Sequence, residues 1–240
     1  MNRIYRLFSM FLVVLALAAA SGGCVSAYRA HPELDARIKG IKTIGIFPAD
    51  IRIYELTAGD VEELRDDWSL QGRENVMKAA PELLRKNKAQ TKIIGTQKGT
   101  EDEIEDVQAL YRTVSYTILQ YTYGEYPLPQ KHKNFDYTVG PIKKLLDPHG
   151  VDAVLLLHGF DEISSGGRKA LRALSMVTGL LTGVQMRAGV TGISAALVDK
   201  NGTVLWYNIK TDEGGYDLRN PGSARGMLKS ILSDFPEATP

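Results

Sequence analysis

The chain reads as an α/β protein: a mixed central sheet with helices on both faces, ending in a C-terminal β-hairpin and a final helix. Three observations predict this. Val151 to Phe160 is almost continuously apolar, as in a strand buried on both faces. Asn201-Gly202 lies between two apolar runs, the strongest short-range hairpin signal. Apolar residues recur at helical spacing over 60–88 and over 101–120.

The elements follow in order. Ile41 to Pro48 carries apolar residues at 41, 44, 46 and 47 and predicts a strand ended by the proline. Residues 51–56 alternate and predict a second strand. The helix over 60–88 has Val61, Leu64, Trp68, Val76, Ala79, Ala80, Leu83 and Leu84 on its apolar side. Gly72 and Pro81 are its candidate break points, since a mid-helix proline costs ~3 kcal/mol. Lys92 to Gly95 predicts a short strand. Glu101, Asp102 and Glu103 suit the positive end of a helix dipole. That helix should run to about Gln120, burying Ile104, Val107, Leu110, Val114 and Ile118. Residues 121–134 read as loop and 137–146 as a short helix. After the 151–160 strand, 167–186 has helical spacing, and 188–198 and 203–208 form the hairpin strands. Asn220-Pro221 opens a last helix over about 224–235. No fixed-period repeat and no low-complexity segment occurs.

The amino terminus carries an address. Arg3 and Arg6 precede an apolar run from Leu7 to Ala20, and Ser21, Gly22 and Gly23 follow, which is the pattern of a secretory signal peptide. The small residues end on Cys24, the chain's single cysteine. Three fates are open to it: lipidation, a free thiol after plain cleavage, or retention in an uncleaved anchor. The apolar run is shorter than the ~20 residues of a comfortable span, and a lone thiol in an oxidising compartment invites intermolecular pairing. The organisation that follows is a signal peptide over 1–23, a tether over 24–36 and one α/β domain over 37–240. Removing 1–23 leaves 27 of the 29 Lys and Arg against 28 Asp and Glu. A near-neutral body offers no basic field for nucleic acid. Without a second cysteine there is no internal disulfide and no thiolate metal cluster, so the apolar core must supply the stability.

The end of the signal resembles the lipobox of bacterial lipoproteins, with Ser21 where leucine is usual. That resemblance implies acyl chains, palmitate among them, on Cys24, and several chains make a stable anchor. Val25 after the cysteine implies the outer membrane. A second resemblance lies in the body. Asp152, Ala153 and Val154, followed by Leu197, Val198, Asp199, Gly202, Val204, Leu205 and Trp206, are similar to a group of Gram-negative envelope lipoproteins. The group includes the curli-secretion channel lipoprotein, the Pel polysaccharide export lipoprotein and the amino-terminal domain of TolB. It implies an α/β sandwich, no catalysis, protein partners in the cell envelope and self-association, often as rings. The channel formers span the membrane with long alternating hairpins, and Leu171 to Gly183 lacks that alternation, which argues against a pore.

Candidate chemistry is sparse. His31, His132, His149 and His158 have no metal-ligand spacing. His158 lies near Asp161, Ser164 and Ser165, but a triad is a matter of geometry, and no Gly-x-Ser-x-Gly occurs. No phosphate loop is present. No catalytic residue, metal or cofactor is therefore expected. Gly179 and Gly183 have the spacing of close helix contact. The helix that holds them reads either as core or, with Arg168, Lys169 and Arg172 at its start, as a membrane or subunit contact. Tyr121, Tyr123 and Tyr126 read either as packing or as a ligand surface. The expected function is an outer-membrane lipoprotein facing the periplasm, a non-enzymatic accessory or assembly subunit of an envelope or export complex. The alternative is a glycan- or peptidoglycan-binding lipoprotein.

Overall fold

The computed structural model describes residues 28–85, 90–95, 100–182 and 187–237. Its axis is the apolar strand β6 (Ala153–Ser164). On one side β6 pairs antiparallel with β7 (Val190–Asp199), β7 with β8 (Val204–Glu213), and β8 with the short β1 (Arg29–Ala30). On its other side β6 pairs in parallel with two strands in succession. Its first half takes β2 (Thr43–Ile46) and its second half β3 (Asp50–Leu56). Pro48 separates them because it has no N–H to give the ladder. Two strands finish the sheet: β5 (Gln90–Ile93), parallel on β2, and β4 (Glu62–Leu64), antiparallel on β3.

Seven α-helices are present among the described residues: α1 (Leu34–Arg37), α2 (Asp66–Leu84), α3 (Glu101–Ile118), α4 (Pro129–Lys133), α5 (Lys143–Leu146), α6 (Gly166–Thr182) and α7 (Pro221–Ile231). They sort onto both faces of the sheet, as period-2 alternation requires. Ala153, Leu155 and Leu157 of β6, Ala195 and Leu197 of β7 and Trp206 of β8 share one core with α1, α2 and α7. Val154, Leu156, Ala196, Val198 and Tyr207 share the other with α3 and α5.

Several elements depart from the sequence reading. Arg29–Ala30 and α1, read as tether, are part of the sheet and of a core, with Leu34 buried. Helix α2 begins at Asp66 because Thr57 to Asp60 turns the chain back as β4, with Asp60 at φ 64°. Neither Gly72 nor Pro81 breaks α2. Gly72 is where the helix crosses β3 most closely, since a Cβ there would lie 2.8 Å from Ile53. The helix expected over 137–146 shrinks to α5. Gly140 takes φ 76°, Pro141 disfavours helical backbone before it, and Thr138 bridges instead to Thr203. The loop expected over 121–134 contains a wide turn at Leu119–Tyr123 and α4.

The hairpin forms where expected but not with the tightest turn. Gly202 is left-handed at φ 80° and Asn201 is not, so the loop closes through a glycine bulge. Asp199 holds it by accepting the N–H groups of Asn201 (2.9 Å) and Thr203 (3.0 Å). Asn220 caps α7 by accepting from Gly222 (2.9 Å) and Ser223 (3.1 Å).

Candidate functional site: an apolar groove and an outward-facing helix

Helix α3 buries Ile104, Val107, Tyr111, Ser115 and Ile118, while Leu110, expected inside, is half exposed. Polar atoms decide the register. The Tyr111 hydroxyl donates to Ser194 Oγ (3.1 Å), Ser115 Oγ donates to the same atom (3.0 Å), and Ser194 donates to the His158 carbonyl (3.2 Å). Tyr207 meets Ser115 at 2.9 Å. Two serines in place of large side chains leave room beside them. Between α3 and the second half of β6 lies a groove of about 480 Å³. Its floor is Phe160, Gly192 and Ile209, and its wall Arg112, Tyr116 and Leu119. Gly192 faces Phe160 in register, and a Cβ there would lie 2.7 Å from the ring.

One charged cluster borders the groove. Asp50, at the start of β3, accepts from Arg112 Nε (2.8 Å) and Nη2 (2.7 Å) and lies 3.2 Å from His158 Nδ1. Burial opposes charge on Asp50. Hydrogen bonds from His158 and Arg112 outweigh it and hold the carboxyl down at about 2. A depressed carboxyl contributes stability above its unfolded value of 3.8 that is lost as pH falls through 2. The chain should therefore lose on the order of 2 kcal/mol of unfolding free energy across that interval. Denaturant titrations at stepped pH should show Asp50→Asn without this part of the slope.

The cluster does not build a triad. His158 faces α3, whereas Asp161, in the neighbouring alternation, faces away and accepts from Leu218 N (2.8 Å) and Thr191 Oγ1 (2.7 Å). The side-chain contacts of the His158 ring are with Asp50, and no nucleophile is hydrogen-bonded to it among the described residues. Nor do the described residues hold a group of three metal-ligating side chains.

The three tyrosines do not act together. Tyr126 is 85% exposed and Tyr121 36%. Tyr123 packs 6.1 Å from the Tyr207 ring and under the Arg29 guanidinium at 5.1 Å, and burial pushes its hydroxyl up. Tyr116, one of the densely spaced tyrosines but not among the three ligand candidates, lines the groove and is 67% exposed. Its spacing from Arg112 and Leu119, four residues before and three after, was the available signal for a shared helix face.

Up to Met176, helix α6 packs into neither core. Arg168 is buried, pairs with Asp60 (2.8 Å) and donates to the carbonyls of Thr57 (3.3 Å) and Arg187 (3.4 Å). Its side chain is thus enclosed by the Thr57–Asp60 turn and not presented on the outer side of the helix. Arg172, half buried, lines a cleft with Glu162 and Asp217, and Lys169 is exposed at its edge. Leu171, Leu174 and Met176 are 44%, 61% and 55% exposed. Gly179 stands on α6. Cys24 and Gly183 lie outside the described residues.

The geometry defines an α/β sandwich with a ligand-sized groove and, among the described residues, no assembled catalytic set. No family model matches the chain, and no curated protein does. The solved structures similar to it include three from bacteria. A point variant of the PelC dodecamer from Paraburkholderia phytofirmans is 15% identical at TM-score 0.37, over 82% of this chain and 89% of that one. Lipoprotein GNA1162 from Neisseria meningitidis is 16% identical at TM-score 0.32, over 80% and 95%. The LpoB C-terminal domain from Salmonella enterica is 9% identical at TM-score 0.26, over 76% and 95%.

Proposed function

We propose that this chain is an outer-membrane lipoprotein, anchored through acyl chains on Cys24, that serves as a non-enzymatic accessory or assembly subunit of an envelope complex. The observation that carries it is Cys24 itself, placed at the end of a signal-like apolar run and four residues before Tyr28, where the described body begins. Four residues span at most about 14 Å. Lipid on that sulfur therefore holds the α/β body directly against the bilayer.

Mass spectrometry of the mature amino terminus, expressed in a Gram-negative host, is expected to show a tri-acylated Cys24 and loss of residues 1–23. Cys24→Ser should move the protein from the membrane fraction to the soluble one. An unmodified thiol on the mature wild-type protein overturns the reading. Self-association, implied by the sequence resemblance, is read by sedimentation velocity of the detergent-extracted protein.

The exposure of Tyr121 and Tyr126 favours glycan or peptidoglycan binding as a second reading. Tyr126→Ala should then weaken binding of peptidoglycan fragments in calorimetry, and unchanged binding removes it.

A further inference from the structure

The strand registers put Asp50, His158, Ser194 and Ile209 in one row across β3, β6, β7 and β8, on the face that α3 crosses. Arg52, Phe160, Gly192 and Thr211 form the next row. The groove beside α3 lies along these rows. A row across four adjacent strands spans three spacings, about 14 Å. A slot of that length and of about 480 Å³ has the size of a small-molecule site. Tyr116 and Leu119 remain 67% and 40% exposed on its wall. Apolar side chains left exposed around a concavity mark a binding site.

The two ends of the slot differ in chemistry. Toward β3 it is lined by Arg112 and His158, and no acidic side chain lines it among the described residues. Asp50, behind them, takes Arg112 Nε and Nη2 on one oxygen, and Arg52 Nε lies 3.7 Å from the other. Two guanidinium groups thus share one carboxylate, and Arg112 Nη1 has no partner among the described residues. In the adjoining cleft Glu162 and Glu62 are answered by Arg187, at 3.3 and 3.9 Å. Toward β8 the lining is Phe160, Tyr116, Leu119 and Ile209. The hydroxyls along the slot are spent inside the protein. Ser115 donates to Ser194, Ser194 to the His158 carbonyl, and Thr113 to the Ala109 carbonyl at 3.1 Å. A hydroxyl-rich ligand would leave its own groups unpaired there, which is costly. An alkyl chain asks for no such partner.

We propose that this groove binds a free fatty acid of medium chain length, with its carboxylate on Arg112 and its alkyl chain lying across β6, β7 and β8 beside Tyr116 and Leu119. The cationic end selects an anion, and the planar guanidinium fork matches a carboxylate. The apolar end supplies the affinity, at about 0.8 kcal/mol for each methylene fully buried. Asp50 and His158 position Arg112 rather than touch the chain. The site is independent of the fate of Cys24.

Displacement of a fluorescent fatty acid tests it. The full chain, held in amphipol without free detergent, is titrated with a dansyl-labelled undecanoate, and amphipol alone is the blank. The expected result is a blue-shifted emission that saturates at one probe per chain. Laurate should displace the probe and butyrate should not, while lauryl trimethylammonium should be at least roughly tenfold weaker than laurate. Tyr116→Glu combined with Leu119→Glu changes two exposed wall positions. It should weaken laurate by more than about tenfold while the melting temperature holds. Arg112→Gln should cost laurate roughly tenfold and leave lauryl alcohol unchanged. Where that variant unfolds, a preference of the wild-type chain for laurate over lauryl alcohol carries the same test. Absence of saturable binding overturns the proposal. So does equal affinity for the cationic analogue or for the alcohol, and so does undiminished binding in the Tyr116→Glu, Leu119→Glu chain. One probe per two chains means that a second copy completes the groove, and it overturns the proposal equally.

Discussion

Trp206→Ala is expected to lower the free energy of unfolding by about 3–5 kcal/mol, the range for deleting a fully buried large aromatic. Trp206 has no exposed surface and pairs across the sheet with Leu197 and Ala30. Its ring meets Phe235 edge-on, with centroids 5.0 Å apart, so it ties the sheet to the segment that follows α7. The cavity would open where α7, β8 and β1 converge, and collapse there is limited by paired strands on both sides. The indole N–H adds a second, opposite effect. It is buried without a hydrogen-bond partner among the described residues, a state that costs ~1–3 kcal/mol. Trp206→Phe removes volume and the orphan donor together, so its loss should be clearly smaller than that of alanine. Urea melts at neutral pH separate the two. Equal losses would show that neighbouring side chains refill the cavity that alanine leaves.

Asp161 should give the second large effect, and its sign is unusual for a carboxylate. Burial drives its pKa up from 3.8 to about 6, and the hydrogen bonds from Leu218 and Thr191 offset only part of that. The native state therefore holds a proton that the unfolded chain has released. Stability from this group is full below pH 3.8 and falls as pH rises to about 6, by about 3 kcal/mol. Asp161→Asn keeps an acceptor for Leu218 N–H, and its amide can donate to Thr191, whose hydroxyl also reaches the Tyr216 carbonyl at 3.3 Å. The asparagine variant should match or exceed the wild type at pH 7.5 and lose the decline between pH 4 and 6. Asp161→Ala, which strands the Leu218 N–H, should be less stable at every pH. A wild-type curve that rises through this interval would mean that the carboxyl is better solvated than the geometry shows.

The sheet was legible where the sequence expresses period 2 or unbroken apolarity. The β6 run, the Asn201-Gly202 turn and the Asn220-Pro221 start of α7 are local signals, and the structure honours each. Elements set by tertiary contact were not legible. Tyr111 displaces Leu110 from the core because its hydroxyl finds Ser194, 83 residues away, and no window of sequence contains that pair. Strand β4 exists because β3 has an open edge for it. Arg168 reads as a headgroup contact until the Thr57–Asp60 turn is folded beside it. The groove was missed for the same reason: Phe160, Gly192 and Tyr116 come from three elements and carry no shared motif. Helix α6 was legible as a helix, but its spacing alone could not say which side faces out.

The parallel pairing of β2 and β3 with β6 sets the order in which this chain can fold. Asp50 meets His158 across 108 residues, and everything between them is made before β6 arrives. A chain exported amino end first would carry two apolar strands with unfilled edges through most of its translocation. Such strands associate with one another when left waiting, and long-range parallel closure is slow. Under the proposed lipoprotein role, export should therefore depend strongly on holding chaperones until the last third of the sequence has crossed.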